Sequence, residues 1–338
     1  MRQHWVTDGH SMRRRFGGRT KLRRDAPAAL LARRHRALRG LELFVALALV
    51  GLGLTACDPA APTIVFAGDI ACHSAPQASG PSCRYGTGTT GTAGLVAWLN
   101  PDHIGAVGDL QYEDGALADY NAYYNPTWGA FRAKTFPVPG NHEYHLPDAA
   151  GYFDYWGARA GTRAKGWYAK SVGNWLVIAL NSEVGVNASS EQYNWLKSVL
   201  DLNKATSTPK SCVLAFWHKP RWSSDTQHGS NAGFGPFWIL LQSHHADVVV
   251  NGHAHLYERF AKQDAAGVAA AGGIRQFTAG IGGKSQYSFN TPVANSQVRI
   301  AGAGVLRLQL QSNSYDWALY GLNRSVLDSG QTNCNAGS

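Results

Sequence analysis

Short apolar runs recur along the chain, and a polar cluster follows each of five of them directly. Runs of this length bounded by glycine predict buried β-strands, and stretches with helical spacing of apolar residues lie between them. The predicted strands are residues 64–67, 104–107, 136–139, 213–217 and 248–250, and the predicted helices are residues 92–99, 117–124, 191–203 and 235–244.

The alternation of strands and helices predicts an α/β fold with a buried, largely parallel sheet. Ligands bind beyond the carboxyl ends of the strands in such sheets, and all five polar clusters fall at these ends. Three later runs, residues 275–278, 304–311 and 315–320, are separated by glycine and Asn/Ser turns. They predict a second, mostly antiparallel sheet.

The last of the five clusters contains a histidine pair, His253 and His255, directly after the run at residues 248–250. Side chains at positions i and i+2 of an extended segment project to the same side, and Gly252 leaves room for a tight turn. Both imidazoles can therefore bind one metal ion. Taken alone, the pair is weak evidence for a metal site, because paired histidines on loops are more often ordinary surface residues.

The first 56 residues have the pattern of an export signal, with basic clusters followed by an apolar run at residues 41–54. This run is shorter than the about 20 apolar residues that a membrane-spanning helix needs. Its end, Leu54-Thr55-Ala56-Cys57, resembles the lipobox of bacterial lipoproteins, in which Cys57 would carry the lipid. The alternative is cleavage by the ordinary signal peptidase, with Cys57 incidental.

The net charge of +9 comes from this leader, because residues 1–56 contain 12 of the 31 Lys and Arg and only 3 of the 22 Asp and Glu. The remaining chain carries 19 residues of each sign, so nucleic acid is not the implied partner. We expect a signal segment at residues 1–56, a tether at 57–62, one domain at 63–322 and a polar C-terminal tail at 323–338.

Five cysteines are present, and assigning Cys57 to a lipid leaves four that can form two disulfides in an oxidising compartment. We favour Cys72 with Cys83, because the intervening segment looks like a loop that a disulfide would close. The other two cysteines are Cys212 and Cys334.

The five clusters, in order, resemble the five motifs of calcineurin-like metallophosphoesterases and are most similar to the purple acid phosphatase branch. The resemblance spans residues 63 to about 320 and implies a four-layer αββα sandwich of two mixed sheets, with a two-metal site. The motifs are Asp69 in GDI, Asp109 and Tyr112 in GDLQY, Asn141 and His142 in GNHE, His218 after a strand, and His253 and His255 in GHAH.

The resemblance implies two sets of metal ligands that share Asp109 as a bridge. Asp69, Asp109, Tyr112 and His255 would hold the first ion, and Asp109, Asn141, His218 and His253 the second. Many relatives have a histidine where this chain has Ala71, and Tyr112 fits that vacancy. A Tyr112 phenolate favours Fe³⁺ with Fe, Zn or Mn as the second ion, whereas a Tyr112 that only packs favours Mn or Zn at both positions. His73 is a weaker alternative ligand.

The implied activity is hydrolysis of phosphomonoesters by a hydroxide held at the two metal ions, with a small phosphorylated molecule as substrate. His142 would contact the phosphate or protonate the leaving oxygen. His228 resembles a second substrate-contacting histidine, although a surface loop histidine is an equal alternative. The enzyme would be exported, either lipid-anchored through Cys57 or secreted.

Two other functions remain open at the level of sequence. The same metal centre serves phosphodiesterases and nucleotidases, and a degenerate scaffold can serve as a non-catalytic metal-bound binding protein. Two further expectations concern residues around the motifs. Ala254 replaces an aspartate common in close relatives, and the remaining histidines are expected to be exposed or to pack. These histidines are His103, His145, His244 and His245.

Overall fold

The computed structural model describes residues 60–77 and 82–335. The predicted signal segment and Cys57 lie outside these residues. Within them, the chain forms a six-stranded sheet and a seven-stranded sheet. Across the first sheet the strands are, in order, Val326–Asn333 (β13), Ser314–Gly321 (β12), Gly304–Leu310 (β11), Thr63–Ala67 (β1), His103–Val107 (β2) and Thr135–Val138 (β3).

The seven-stranded sheet contains the remaining strands of the described chain. Across this sheet they are, in order, Ser296–Ile300 (β10), Tyr257–Phe260 (β8), Arg275–Ala279 (β9), Val248–Asn251 (β7), Cys212–Phe216 (β6), Trp175–Ala179 (β5) and Tyr168–Val172 (β4). Strands β5, β6, β7 and β9 are parallel, and so are β1, β2 and β3. Both sheets are therefore mixed.

Helices cover the outer face of each sheet, which gives the expected four-layer αββα sandwich. Strand β1 shows why its sequence is continuously apolar: Ile64 and Phe66 enter the core between the sheets, while Val65 and Ala67 pack in the cluster formed with the helices. The helices are Gly91–Leu99 (α1), Leu117–Asp119 (α2), which continues as a π-helix at Tyr120–Tyr124, Ala150–Trp156 (α3), Glu191–Ala205 (α4) and Gly235–Ser243 (α5).

The assignment of strands to sheets differs from the sequence prediction. The five predicted strands divide between the two sheets, three in the first and two in the second. The later strands form no separate antiparallel sheet: β9 lies parallel to β7, whereas β11 pairs with β1 and extends the first sheet. A short apolar run carries no information on its hydrogen-bonding partner, so this part of the prediction was wrong.

Residues 326–333, which lie within the polar tail predicted for residues 323–338, form an ordered strand. Strand β13 pairs antiparallel with β12 along its length, and its polar residues suit an edge strand with one face in solvent. The predicted Cys72–Cys83 disulfide is confirmed, and Cys212 pairs with Cys334. Since Cys212 belongs to β6 and Cys334 follows β13, the second disulfide joins the two sheets.

Candidate metal centre

The turns after β1, β2 and β7 place three of the predicted ligands in an unusual backbone conformation. Asp69, Asp109 and His253 have φ angles of 58°, 49° and 69°, in the left-handed region that side chains other than glycine rarely adopt. Each such residue costs on the order of 1–3 kcal/mol and persists only where its surroundings hold it. Three of them at one place point to a functional site.

Two glycines allow these turns to approach each other closely. A Cβ atom at Gly140 would lie 2.2 Å from Asp109 Oδ1, and one at Gly108 would lie 2.4 Å from the His218 Nδ1 atom. Neither contact is tolerable, so the glycines that precede Asn141 and Asp109 in the two motifs are required by packing around the site.

The first predicted set of ligands forms one tight group. The Tyr112 hydroxyl oxygen lies 2.9 Å from Asp69 Oδ1, 3.2 Å from Asp109 Oδ2 and 2.9 Å from His255 Nε2. His255 Nε2 is also 3.2 Å from Asp69 Oδ1. These four side chains, all buried, therefore surround a single point.

The second predicted set forms an adjoining group around His218. Its Nε2 atom lies 3.2 Å from Asp109 Oδ2, 3.2 Å from Asn141 Oδ1 and 3.1 Å from His253 Nδ1. The Asp109 Oδ2 atom thus contacts both groups. The structure brings all seven predicted residues together, with Asp109 at the junction.

Backbone hydrogen bonds of two histidines direct one ring nitrogen of each into the two groups. Backbone carbonyls, which only accept hydrogen bonds, lie 2.9 Å from His218 Nδ1 at Val107 and 2.7 Å from His255 Nδ1 at Ser285. Each Nδ1 therefore carries a hydrogen, so Nε2 is the ring nitrogen that faces the oxygen atoms of its group and that offers a lone pair to a cation when the imidazole is neutral. Oxygen and nitrogen atoms that converge in this way are suitable ligands for cations.

Charge within the metal-free site is distributed unevenly. Burial opposes ionisation, but the close contact between Asp109 and His218 outweighs it, so the pKa of Asp109 is held well below its usual range and the pKa of His218 is raised. Burial, with the charge of His218, lowers the pKa of His253 to about 2. Burial and the charges of Asp69 and Asp109 raise the pKa of Tyr112 well above its ordinary value. A Tyr112 phenolate therefore requires cations at the site.

Glu143 holds together the loops that carry Asp109 and Asn141. Its buried carboxylate accepts hydrogen bonds from the backbone N–H groups of Asp109 at 3.0 Å, Leu110 at 2.8 Å and Gly140 at 2.7 Å. It also accepts from the Tyr120 hydroxyl at 3.0 Å. A single carboxylate thereby joins the loop of Asp109 to the loop of Asn141.

His142 lies at the edge of the junction, with its Nε2 atom 3.9 Å from Asp109 Oδ2. Its Nδ1 atom donates to the Glu113 carbonyl at 2.5 Å, which directs Nε2 toward the site. The ring lies between those of Tyr112 and His145, at centroid distances of 4.3 and 4.5 Å. His145 belongs to none of the five motifs, so no sequence pattern predicts its position here.

His228 lies on the opposite side of the site. Its exposed ring stacks on that of His253, with centroids 4.0 Å apart and an angle of 27° between the planes. Its Nε2 atom is 3.4 Å from the hydroxyl of Tyr287, whose ring stacks on His255 at 4.0 Å. The rings of His228 and Tyr287 thus cover one predicted ligand of each group.

Sequence reasoning overlooked Tyr287 and Lys284, which enter from one loop beyond β9. The Lys284 ammonium lies 4.2 Å from the centre of the Tyr112 ring and forms an ion pair with Glu113. The only signal was the glycine cluster before Lys284, which resembles the glycines of the other motifs.

The weaker candidates lie elsewhere. The His73 Nδ1 atom is 2.9 Å from Asp119 Oδ2 at the surface, so His73 is not in the ligand groups. The His103 ring stacks on Phe136, and the His244 Nε2 atom lies 3.0 Å from Asp201 Oδ1. Both agree with the surface or packing interpretation of these histidines.

Residues 62–257 match the family model for calcineurin-like phosphoesterases. The chain belongs to the calcineurin-like phosphoesterase family. Purple acid phosphatase 15 of Arabidopsis thaliana is 30% identical over 204 residues, which are 51% of this chain and 38% of that relative. The matched region thus spans less than half of that relative.

Two solved structures share the fold. A purple acid phosphatase from yellow lupin seeds superposes with a TM-score of 0.64 at 19% identity, covering 82% of this chain and 54% of the lupin chain. GAP50, the anchor in the inner membrane complex of Plasmodium, superposes with a TM-score of 0.60 at 16% identity, covering 83% of this chain and 91% of GAP50. At these identities the likeness supports the fold and nothing finer.

Proposed function

We propose that the protein is an exported, metal-dependent phosphatase that hydrolyses phosphomonoesters at a centre of two metal ions. The observation that carries this proposal is the convergence of seven side chains in two groups that share Asp109. Membership of the calcineurin-like phosphoesterase family and the similarity to purple acid phosphatase 15 support the reaction class. A small phosphorylated molecule is the proposed substrate.

The donor chemistry of the two groups favours different ions. The group of Asp69, Asp109, Tyr112 and His255 has three oxygen donors and one imidazole, which suits Fe³⁺ if Tyr112 binds as phenolate. The group of Asp109, Asn141, His218 and His253 has two imidazoles and suits Fe, Zn or Mn in the divalent state. A Mn or Zn pair is the alternative if Tyr112 stays a neutral phenol.

When bound, two metal ions would neutralise charge on the phosphoryl group and lower the pKa of a water molecule that attacks phosphorus. Asp109, in contact with both groups, would fix the spacing between the ions. The backbone carbonyls of Val107 and Ser285 hold the rings of His218 and His255 so that each Nε2 faces inward.

Two histidines outside the ligand groups can contact the substrate. His142 presents its Nε2 atom at the edge of the junction, where a protonated imidazole can bind a phosphate oxygen or give its proton to the leaving oxygen. His228, exposed above His253, can donate a hydrogen bond to the phosphate from the other side. We assign both histidines to substrate binding and proton transfer.

Two disulfides support export to an oxidising compartment. Between residues 60 and 335, apart from the gap at 78–81, the structure has no helix both long and apolar enough to cross a membrane. Anchoring through a lipid on Cys57 and release as a secreted protein are both compatible with this proposal. Mass spectrometry of the mature N-terminus from the native host distinguishes them.

The proposal is tested by turnover of p-nitrophenyl phosphate before and after complete removal of metal. We expect activity to vanish on chelation and to return when iron with zinc, or manganese alone, is supplied. Equal turnover in metal-free protein would refute a metal-dependent phosphatase. Bis(p-nitrophenyl) phosphate assayed in parallel tests the diesterase alternative.

The alternative is a non-catalytic metal-bound binding protein, which a lost ligand would support, yet all seven ligand positions are filled. A binding protein would retain bound metal yet show no turnover with either ester. Detectable metal together with no hydrolysis of any phosphate ester would therefore favour it.

A further inference from the structure

His228 is poorly restrained for a residue assigned to substrate contact. It is exposed on a loop, and apart from backbone contacts its ring meets only the faces or edges of His253 and Tyr287. An exposed loop side chain normally samples several rotamers and backbone states. Since its own ring contacts are few, the position of His228 over His253 must be held by the backbone of its loop.

The cause lies three residues earlier, at Asp225. This aspartate is buried, and its Oδ1 atom accepts hydrogen bonds from the backbone N–H groups of Gln227 at 2.8 Å and His228 at 2.7 Å. Its Oδ2 atom accepts from the Gly229 N–H at 3.0 Å and from the Ser223 hydroxyl at 2.7 Å. One carboxylate thus holds three consecutive backbone N–H groups, with His228 in the middle.

The same turn is tied to the loop that carries Tyr287. The Asn290 side-chain amide donates to the Asp225 carbonyl at 3.0 Å, and the Thr226 N–H donates to the Ser288 carbonyl at 3.1 Å. These bonds set the distance of 3.4 Å between the Tyr287 hydroxyl and His228 Nε2. The turn and its neighbour therefore fix the height of the His228 ring above the site.

The carboxylate of Asp225 uses both of its oxygens to hold the loop backbone. Burial alone would raise its pKa, but hydrogen bonds from the His228 N–H, the Ser223 hydroxyl and the neighbouring N–H groups hold it below its ordinary value. Each of its two oxygens accepts two hydrogen bonds, so Asp225 is neither a general base nor a metal ligand. Its effect on the reaction must pass through the loop.

We propose that Asp225 is a positioning residue that fixes His228 over the second ligand group and so controls the histidine's contact with substrate. The kinetic consequence rests on the proposed phosphatase function, whereas the placement of His228 does not. The two parts are therefore tested by separate measurements.

The placement is tested by NMR on the full chain prepared with zinc, with isotope-labelled histidine. A ring stacked on His253 should give proton signals displaced from those of a free histidine, and the His228 signal is identified by its loss in His228→Ala. In Asp225→Ala, we expect this signal to move to the position of an exposed histidine. An undisplaced His228 signal in the unmodified protein, or a displaced one that persists in Asp225→Ala, would overturn the proposal.

The control for this measurement is Asp247→Asn. Asp247 is likewise buried and accepts backbone N–H groups, from Val213 and Asn335, but it precedes β7 at the opposite end of the sheet. Its substitution should leave the His228 signal in place. Thermal unfolding of each variant verifies that the fold is retained, and Asp225→Asn, which keeps one accepting oxygen, should give an intermediate displacement if Asp225→Ala fails to fold.

The kinetic part is tested by a double-mutant cycle on p-nitrophenyl phosphate. We expect Asp225→Ala and His228→Ala each to lower kcat/KM by about tenfold to 100-fold, and the double variant to be no slower than His228→Ala alone. Losses that multiply in the double variant, or full activity in Asp225→Ala, would overturn the role through His228. No turnover in the unmodified protein would refute the proposed function, while the NMR result would still decide the placement.

Discussion

The two ends of the β-sandwich are built from the same strands but differ in how their polar groups are satisfied. At the carboxyl ends, side-chain oxygen and nitrogen atoms of Asp69, Asp109, His218 and His255 crowd together, and the raised pKa of His218 reflects a proton held beside the Asp109 carboxylate. At the opposite end, each oxygen of Asp247 accepts a backbone N–H. The difference indicates that the site at the carboxyl ends is suited to cations. At the opposite end, here called the closed end, the polar groups around Asp247 are hydrogen-bonded within the protein.

The closed end is also where the chain's C-terminus is secured. The Asn335 side-chain amide donates to the Ala246 carbonyl at 2.8 Å and to the Gly273 carbonyl at 3.1 Å, and Cys334 forms its disulfide with Cys212. Groups with complete hydrogen bonding contribute stability, whereas converging acceptors oppose it in the absence of metal. Substitutions at the two ends should therefore separate activity from stability.

The largest effect is expected from Asp109→Asn at the metal end. The amide keeps the shape of the side chain but removes the charge shared by both groups, so hydrolysis of p-nitrophenyl phosphate should fall by about 10⁴-fold or more. The unfolding temperature should change little, because Glu143 still holds the loop backbone. Unchanged kcat in this variant would contradict the role of Asp109.

Removal of the Cys212–Cys334 disulfide should lower stability and leave activity unchanged. The two cysteines are separated by 122 residues, so their replacement by serine should cost about 4 kcal/mol of stability in chemical denaturation, with kcat preserved below the transition. The Cys72–Cys83 pair, separated by 11 residues, provides the comparison and should cost about 2 kcal/mol. A larger loss from the short loop would contradict this assignment.

Tyr112→Phe tests the identity of the first metal. If Tyr112 binds Fe³⁺ as phenolate, the natively purified protein should absorb visible light and lose that band in the variant, with an activity loss of about 100-fold. Tyr287→Phe is the matched control, because the Tyr287 hydroxyl faces His228 rather than the ligand group. A band that disappears in both variants, or in neither, would exclude Tyr112 as its source.

The smallest effect is expected on the pH dependence of stability, through Asp247 at the closed end. Burial raises the pKa of Asp247 from 3.8 to about 7, so the folded protein keeps this proton over a range in which the unfolded chain has lost it. With respect to this group, stability should therefore be highest at low pH and should fall by about 1.4 kcal/mol per pH unit as the pH rises from about 4 toward 7. Asp247→Asn, which cannot ionise, should remove this part of the slope in denaturation measured at several pH values. An unaltered slope would show that Asp247 is not its source.

Much of the site could be predicted because its residues follow strands in recognisable clusters. Each of the five clusters follows an apolar run, and the resemblance to the family's motifs selects Asp69, Asp109, Asn141 and the later histidines among their residues. The order of motifs along the chain supplied the fold that brings these clusters together.

Other features depend on contacts that no local pattern encodes. Runs of four or five apolar residues do not reveal which sheet they join, so the division of strands between two sheets was missed. Strand β13 was taken for a tail because its residues are polar, and only its pairing with β12 makes it a strand. His145, Lys284 and Tyr287 reach the site from loops, where position depends on tertiary packing.

The central claim is that seven side chains enclose two metal ions with Asp109 between them. Crystals of the natively purified protein, with anomalous diffraction recorded at the iron, zinc and manganese edges, test it directly. The account predicts two peaks, one contacting Asp69, Tyr112 and His255, the other contacting Asn141, His218 and His253, and both contacting Asp109. A fully active protein with one peak or none at this place would contradict it.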